Sequence, residues 1–167
     1  MVCFSLGSNM GERLENLRQA LVMLDHSLGK PMVVSSVYET EPWGVAHHES
    51  YLNMAVCYET TWPPEKIYTL ISFIEKKLGR VRTVKTIEPR TIDIDTLFYD
   101  DQILKTENLT IPHPRIKDRK FVLEPLAEIM ENFHDPETGL TIKELLLQCT
   151  DTCTVLKTDL KLFSHDV

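Results

Sequence analysis

The sequence lacks the long apolar runs and leader segments that would mark a membrane or exported protein. No apolar run in its 167 residues approaches the roughly 20 residues that a membrane-spanning helix needs. Residues 1–5 lack the basic segment and the long apolar segment of a signal peptide. We therefore expect a cytoplasmic protein with no membrane partner.

Paired cysteines and an excess of positive charge are also missing. The four cysteines, Cys3, Cys57, Cys149 and Cys153, include no Cys-x-x-Cys pair. Such spacing is typical of reduced, packed thiols rather than of a zinc site or a disulfide framework. The net charge of −7 argues against a nucleic-acid partner, whose binding would need a basic surface. No obligate protein partner is indicated.

What remains is an ordinary globular composition, with 43% apolar and 26% charged residues. The length suits one folding unit, and no repeat, low-complexity tract or linker interrupts it. We expect residues 1–167 to form a single domain.

Hydrophobic periodicity predicts the order β-α-β-β-α-β. Strand patterns occupy residues 2–6, 33–40, 52–59 and 91–99, and helix patterns occupy residues 14–28 and 63–79. Ser8 or Asn9 is placed to cap the first helix. A hairpin at 103–111 and short helices at 123–130 and 142–147 follow. This order predicts an α+β fold of the ferredoxin-like type, a mainly antiparallel sheet with helices on one face and extra C-terminal elements.

Positive charges are concentrated in two short segments of this acidic chain. The first contains Lys76, Lys77, Arg80, Arg82, Lys85 and Arg90, and the second contains His113, Arg115, Lys117, Arg119 and Lys120. Such clusters suit a compact polyanion. On charge alone, a solvated loop surface explains them better.

Two aspartates follow the first basic segment on a predicted strand. Asp93 and Asp95 are two residues apart, so their side chains project from the same face, about 6.5–7 Å apart along it. Carboxylates at this spacing suit Mg²⁺, which binds carboxylate and phosphate oxygens. A lone Asp-x-Asp is more often a plain acidic surface. Its place after Arg90, whose guanidinium can bind phosphate bidentately, favours a Mg–ATP site.

A second pocket is indicated by Tyr51 and Asn53, which share a strand face. An aromatic ring beside an amide suits a flat heterocycle with amide-like edges. A buried Tyr–Asn pair that satisfies backbone groups is an equally good interpretation. The segment 7–11 is not a P-loop, because it lacks the Gly-Lys-Ser/Thr ending, and a turn with a helix cap explains it.

Several motifs, in order along the chain, resemble one family. They are Leu6-Gly7-Ser8-Asn9, Tyr38-Glu39-Thr40-Glu41-Pro42-Trp43-Gly44, Tyr51-Leu52-Asn53, Gly79-Arg80-Val81-Arg82, Pro89-Arg90-Thr91-Ile92-Asp93-Ile94-Asp95, Ile111-Pro112-His113-Pro114-Arg115 and Phe121-Val122-Leu123-Glu124-Pro125-Leu126. The chain is identified from them as a member of the 6-hydroxymethyl-7,8-dihydropterin pyrophosphokinases of folate biosynthesis.

The resemblance implies transfer of pyrophosphate from ATP to the hydroxymethyl group of the pterin, with release of AMP. It implies that Asp93 and Asp95 bind two Mg²⁺ ions and that Arg80, Arg90 and Asp95 are catalytic. The implied ATP contacts are Glu75, Arg82, Arg90, Thr110, His113 and Arg119. The implied pterin contacts are Thr40, Trp43, Tyr51, Asn53 and Phe121.

Three other functions remain open from the residues alone. One is a different two-metal phosphotransferase, which pterin binding would distinguish. A ferredoxin-like nucleic-acid module is the second, although its strand aromatics are missing and the net charge is wrong. A scaffold protein is the third, and it would leave the clustered arginines and paired aspartates unexplained.

Overall fold

A βαββαβ order runs through the first hundred residues of the computed structural model, which describes residues 1–41, 49–80 and 89–163. Its elements are β1 (Val2–Ser8), α1 (Arg13–Leu28), β2 (Val33–Val34), β3 (Tyr38–Thr40), β4 (Tyr51–Tyr58), α2 (Pro64–Lys77) and β5 (Asp93–Tyr99). The C-terminal part adds β6 (Leu104–Lys105), β7 (Thr110–Ile111), a 3₁₀ turn (Ile116–Asp118), α3 (Lys120–Met130), α4 (Ile142–Gln148) and β8 (Val155–Lys157). The strand predicted over 33–40 is divided in two, and β8 was not predicted.

The main sheet has the strand order β5-β1-β4-β3-β8, and β2 also pairs with β4. Its strand pairs are antiparallel. The predicted α+β class with a mainly antiparallel sheet is therefore confirmed.

Helices cover both faces of this sheet. Side chains alternate along β1, so Phe4 and Leu6 pack on one face in a core that α1 and α2 complete. Cys3 points to the opposite face, where it packs with α3 and α4. The prediction that the two helices of the βαββαβ unit cover one face is confirmed, and the C-terminal helices α3 and α4, for which no face was predicted, bury the apolar part of the second face.

Local sequence signals predicted some of the helix ends correctly and one of them wrongly. Pro64 opens α2 at a position that tolerates proline, and Gly29 and Gly79 follow α1 and α2 with φ of 88° and 86°. The predicted cap of α1 by Ser8 or Asn9 was wrong, because β1 continues through Ser8 and the helix is preceded by Glu12 without a side-chain cap. None of the helices in the described ranges has the length and apolar character required to cross a bilayer.

Two cysteines that we expected to be reduced are joined in this structure. Cys3 and Cys57 are directly opposite each other in the β1–β4 pairing and form a disulfide. Their separation of 54 residues hides this pairing in the sequence, because only the strand register brings them together. Cys149 and Cys153 are free thiols.

Candidate active site

A cavity of about 220 Å³ opens on the α3 side of the sheet. It is lined by Ser5, Gly7, Thr40, Glu41, Tyr51, Asn53, Arg90, Asp93, Asp95, Arg115, Arg119 and Phe121. The structure thus brings together the predicted aromatic–amide pocket and the predicted aspartate pair.

Strand register explains this convergence. Strand β1 lies between β4 and β5, so Gly7 is opposite Asn53 on β4 and opposite Asp93 on β5, and Ser5 is opposite Asp95. Residues two apart on a strand share a face, so the amide and both carboxylates point to the same side of the sheet. Small residues on β1 leave space between them.

Asn53 is held rigidly at one end of the cavity. Its side chain is 3% exposed, and its Nδ2 donates to Thr40 Oγ1 at 2.6 Å. Tyr51 and Phe121 also line the cavity, and they supply two aromatic surfaces near this amide.

Asp93 is bound by two arginines at the other end. Its Oδ1 accepts a hydrogen bond from Arg80 Nη1 at 2.7 Å, and its Oδ2 accepts one from Arg90 Nη1 at 2.6 Å. Each of its two oxygens is therefore held by a separate, always-charged guanidinium group. Arg80 does not line the cavity itself but reaches its edge through Asp93.

Glu75, on α2, supports this arrangement through its contacts with Arg80 and β5. It is only 2% exposed and pairs with the guanidinium of Arg80. It also accepts a hydrogen bond from the backbone N–H of Ile94 at 3.0 Å, at the residue between the two aspartates. Because Glu75 does not line the cavity, its predicted ATP contact gains no support, and its contacts indicate that it positions Arg80 and β5.

Asp95 has a different environment from Asp93. Its carboxylate faces Arg119, whose Nη1 lies 3.6 Å from Asp95 Oδ2. Although 31% of the side chain is exposed, burial and then the negative charge of Asp93 raise the pKa of Asp95 to about 7. Asp95 is therefore only partly ionised near neutral pH, and a bound cation would favour its ionised form.

His113 lies beside Asp95, with its Nε2 3.8 Å from the carboxylate. Only 21% of its side chain is exposed. Burial and then the charge of Arg119 lower the pKa of His113 to about 4, so the ring is neutral at pH 7. Its Nδ1 accepts from the backbone N–H of Arg115 at 3.2 Å, which leaves Nε2 to carry the proton.

The other predicted residues are less closely associated with the cavity. Thr110 lies on β7, where it pairs with Lys105, and does not line the cavity. Trp43 and Arg82 lie outside the described residues.

Four lining residues were not assigned to the site from the sequence: Ser5, Gly7, Glu41 and Arg115. Arg115 belongs to the second basic cluster, so charge could have indicated it. Gly7 and Glu41 lie in motifs that carry the family resemblance, but neither was assigned a role in the site. Ser5 gave no sequence signal, because its place depends on strand register.

Comparisons with known proteins identify the family to which the chain belongs. Residues 3–131 match the family model of 7,8-dihydro-6-hydroxymethylpterin-pyrophosphokinase (HPPK). A 2-amino-4-hydroxy-6-hydroxymethyldihydropteridine pyrophosphokinase of Bacillus subtilis is 43% identical over 136 residues, covering 81% of each chain. The enzyme of the same name from Aquifex aeolicus is 34% identical over 158 residues, covering 93% of this chain and 98% of its own.

Longer relatives match over only part of their length. The folic acid synthesis protein fol1 of Pneumocystis carinii is 35% identical over 90% of this chain, which spans 20% of that protein. The solved structure of Plasmodium falciparum HPPK-DHPS wild type shares the fold, with a TM-score of 0.71 at 16% identity. It aligns with 88% of this chain, which spans less than half (44%) of that structure. From the family match and the relatives of similar length, the chain belongs to the 7,8-dihydro-6-hydroxymethylpterin pyrophosphokinase family.

Proposed function

We propose that this chain transfers pyrophosphate from Mg–ATP to the hydroxymethyl group of 6-hydroxymethyl-7,8-dihydropterin, forming AMP and the pterin pyrophosphate in folate biosynthesis. Both substrates are small molecules. The observation that carries the proposal is one cavity that is lined both by an aromatic–amide set, Tyr51, Asn53 and Phe121, and by aspartates and arginines. This arrangement suits a reaction that joins a flat heterocycle to a polyphosphate.

The pterin end is assigned to Thr40, Tyr51, Asn53 and Phe121. A pterin ring has both donors and acceptors along its edge, which an amide complements, and its faces suit aromatic neighbours. Because Asn53 already donates to Thr40, its Oδ1 remains as the acceptor for a ring N–H. Trp43 stays a prediction, since it lies outside the described residues.

The donor set of Asp93 and Asp95 fits magnesium. Within the ranges that the structure describes, no group of three His, Cys, Asp or Glu side chains converges. Two carboxylates that face one cavity nevertheless match Mg²⁺, which is commonly held by one or two carboxylates together with substrate phosphates and water. Two such ions, when bound, would neutralise the triphosphate and help to orient it.

The arginines are assigned to the phosphates. In this structure Arg80 and Arg90 form ion pairs with Asp93. Their forked guanidinium groups bind phosphate oxygens with the same geometry as carboxylate oxygens. With a cation on Asp93, these groups would be available to the pyrophosphoryl group. The pterin hydroxyl attacks the β-phosphorus in line, and its O–P bond forms as the bond from that phosphorus to the AMP oxygen breaks. AMP leaves with the bonding electron pair, and the hydroxyl proton passes to solvent.

Arg119 and His113 flank Asp95 and are assigned to the remaining phosphates of the nucleotide. Neutral His113 would donate from Nε2 rather than act as a cation. Three residues stay predicted ATP contacts: Glu75, Arg82 and Thr110. The contacts of Glu75 with Arg80 and with the Ile94 N–H favour a role in positioning Arg80 and β5.

The proposal extends to the fold type, domain organisation and location. The order β5-β1-β4-β3 corresponds to 4-1-3-2 when β2 and β3 count as one strand, which supports the ferredoxin-like plan. The two apolar clusters share one sheet, which supports a single domain over residues 1–167. The cytoplasm, where ATP is abundant, is the proposed location.

Incubation with Mg–ATP and the hydroxymethyl pterin tests the reaction. We expect one AMP for each pterin pyrophosphate, and replacement of Asp95 by Ala should abolish turnover while the fold is kept. ADP as the nucleotide product would instead indicate a different phosphotransferase. Turnover without the pterin would exclude the assigned acceptor.

A further inference from the structure

Asn9 and Arg90 are joined by two hydrogen bonds through the backbone of Arg90. The backbone N–H of Asn9 donates to Arg90 O at 3.1 Å, and Asn9 Oδ1 accepts from the backbone N–H of Arg90 at 2.7 Å. Asn9 is 2% exposed, so both bonds are shielded from water. They join the residue that follows β1 to the segment that leads into β5.

This contact lies beyond the regular strand pairing. The β1–β5 register ends at Gly7 and Asp93, and Arg90 is three residues before Asp93. Asn9 therefore fixes the Arg90 backbone where the strand ladder no longer does so. The guanidinium then reaches Asp93 Oδ2 at 2.6 Å and lines the cavity.

The local turn does not account for the Asn9 side chain. A different residue, Asn16, holds this turn, and its Nδ2 donates to Ser8 Oγ at 3.2 Å and to Met10 O at 2.9 Å. Helix α1 begins after Glu12 without a side-chain cap, so Asn9 is not its cap. Asn9 Nδ2 has no hydrogen-bond partner among the residues that the structure describes, which leaves Oδ1 as the bonded end of the amide.

We propose that Asn9 is a positioning residue, which holds the backbone of Arg90 so that its guanidinium is directed at the transferring pyrophosphoryl group. The inference rests on the role proposed above for Arg90. A small displacement of a group that stabilises transition-state charge lowers the rate of the chemical step more than it weakens binding of a substrate that other residues hold.

Steady-state kinetics of Asn9→Ala, Asn9→Asp, Arg90→Ala and the double variant Asn9→Ala/Arg90→Ala test this role. Asn9→Ala should lower kcat about 10- to 100-fold, with less than about a twofold change in the KM for the pterin. In the Arg90→Ala background, Asn9→Ala should lower kcat less than about twofold further, because the residue that it positions has been removed. Asn9→Asp keeps the oxygen that accepts from the Arg90 N–H, and the N–H₂ group that it removes has no hydrogen-bond partner among the described residues. The kcat of Asn9→Asp should therefore stay within about threefold of that of the unaltered chain.

The outcomes separate this inference from the proposed function. A normal rate in Arg90→Ala would overturn the assigned role of Arg90, and with it this inference. The positioning role alone would be overturned by a low kcat in Arg90→Ala together with a normal kcat in Asn9→Ala. It would also be overturned if the two substitutions lowered kcat by independent factors that multiply in the double variant. If thermal unfolding shows that Asn9→Ala does not fold, Asn9→Asp decides: a near-normal rate supports the acceptor role, and a slow but folded protein overturns it.

Discussion

A methyl group on Gly7 would lie 2.5 Å from Asn53 Oδ1, closer than a real Cβ contact allows. Gly7 and Asn53 face each other across the β1–β4 pair, and the Asn53 side chain occupies the space that a Gly7 side chain would fill. Glycine is therefore needed here for its small size, because it lets the proposed pterin-binding amide lie over the adjacent strand.

Gly7→Ala should weaken pterin binding more than it slows chemistry. The added methyl group pushes Asn53 away and breaks its buried hydrogen bond to Thr40, a loss of about 1–3 kcal/mol. We expect the KM for the pterin to rise about tenfold or more, with less than about a twofold change in the KM for ATP. Pterin titration and steady-state kinetics measure both.

The double variant Gly7→Ala/Asn53→Ala is the control for this mechanism. Once the Asn53 side chain is removed, the Gly7 substitution should raise the KM for the pterin less than about twofold further. Full additivity of the two effects would show that Gly7 acts through something other than the Asn53 side chain.

Glu75→Gln should slow turnover by about tenfold while ATP binding is largely kept. Glutamine still accepts from the Ile94 N–H, but it loses the charge that holds the Arg80 guanidinium. An increase in the KM for ATP with an unchanged kcat would instead support the direct ATP contact predicted from the family resemblance.

Glu75→Ala should also destabilise the fold. It leaves Arg80, which is 12% exposed, without its buried partner and leaves the Ile94 N–H without its acceptor. Loss of one partner of a buried pair typically costs about 3–5 kcal/mol, and the remaining bond to Asp93 places the expected value at the lower end. Urea unfolding measures this loss in the free energy of unfolding. As a control, Glu65→Gln at the exposed start of α2 should change that free energy by less than about 0.5 kcal/mol.

Local patterns were sufficient to predict the elements that bear the site. Alternation placed Asp93 and Asp95 on one face and Ile92 and Ile94 in the core, where they are 0% and 4% exposed. Helix periodicity likewise predicted α1 and α2. These features depend on residues that are close together in the chain, so they can be predicted from the sequence alone.

Features that depend on register could not be read in this way. The Cys3–Cys57 disulfide, the contact of Gly7 with Asn53 and the hydrogen bond from the Ile94 N–H to Glu75 join residues on different elements. The second helical layer was also missed, because α3 and α4 are short and their packing face depends on the sheet. Motifs indicated which residues matter, whereas the structure shows which of them are in contact.

Asp95→Asn should abolish the proposed magnesium dependence without unfolding the protein. The amide keeps the size of the side chain but removes one of two carboxylate ligands, so turnover should fall by at least about three orders of magnitude. In the absence of Mg²⁺, the melting temperature should stay the same or rise, because a negative charge beside Asp93 is removed. Asp101→Asn, at an exposed turn after β5, should leave turnover unchanged.

Magnesium binding should strengthen as the pH rises towards 7. Burial and then the charge of Asp93 raise the pKa of Asp95 from its ordinary value of 3.8 to about 7, so below pH 7 a proton competes with the cation. The apparent Kd for Mg²⁺ should fall about tenfold per pH unit between pH 5.5 and 6.5 and level off above pH 7.5.

Stability without magnesium should change with pH in the opposite direction. A carboxyl group with a raised pKa in the folded state binds more protons there than in the unfolded state, so its contribution is present below about pH 4 and is lost as the pH rises through about 7. Melting temperatures at pH 5.5, 6.5 and 7.5, with and without Mg²⁺, measure both effects. Both should disappear in Asp95→Asn, and a pH-dependent Mg²⁺ stabilisation that persists in that variant would assign the cation to other residues.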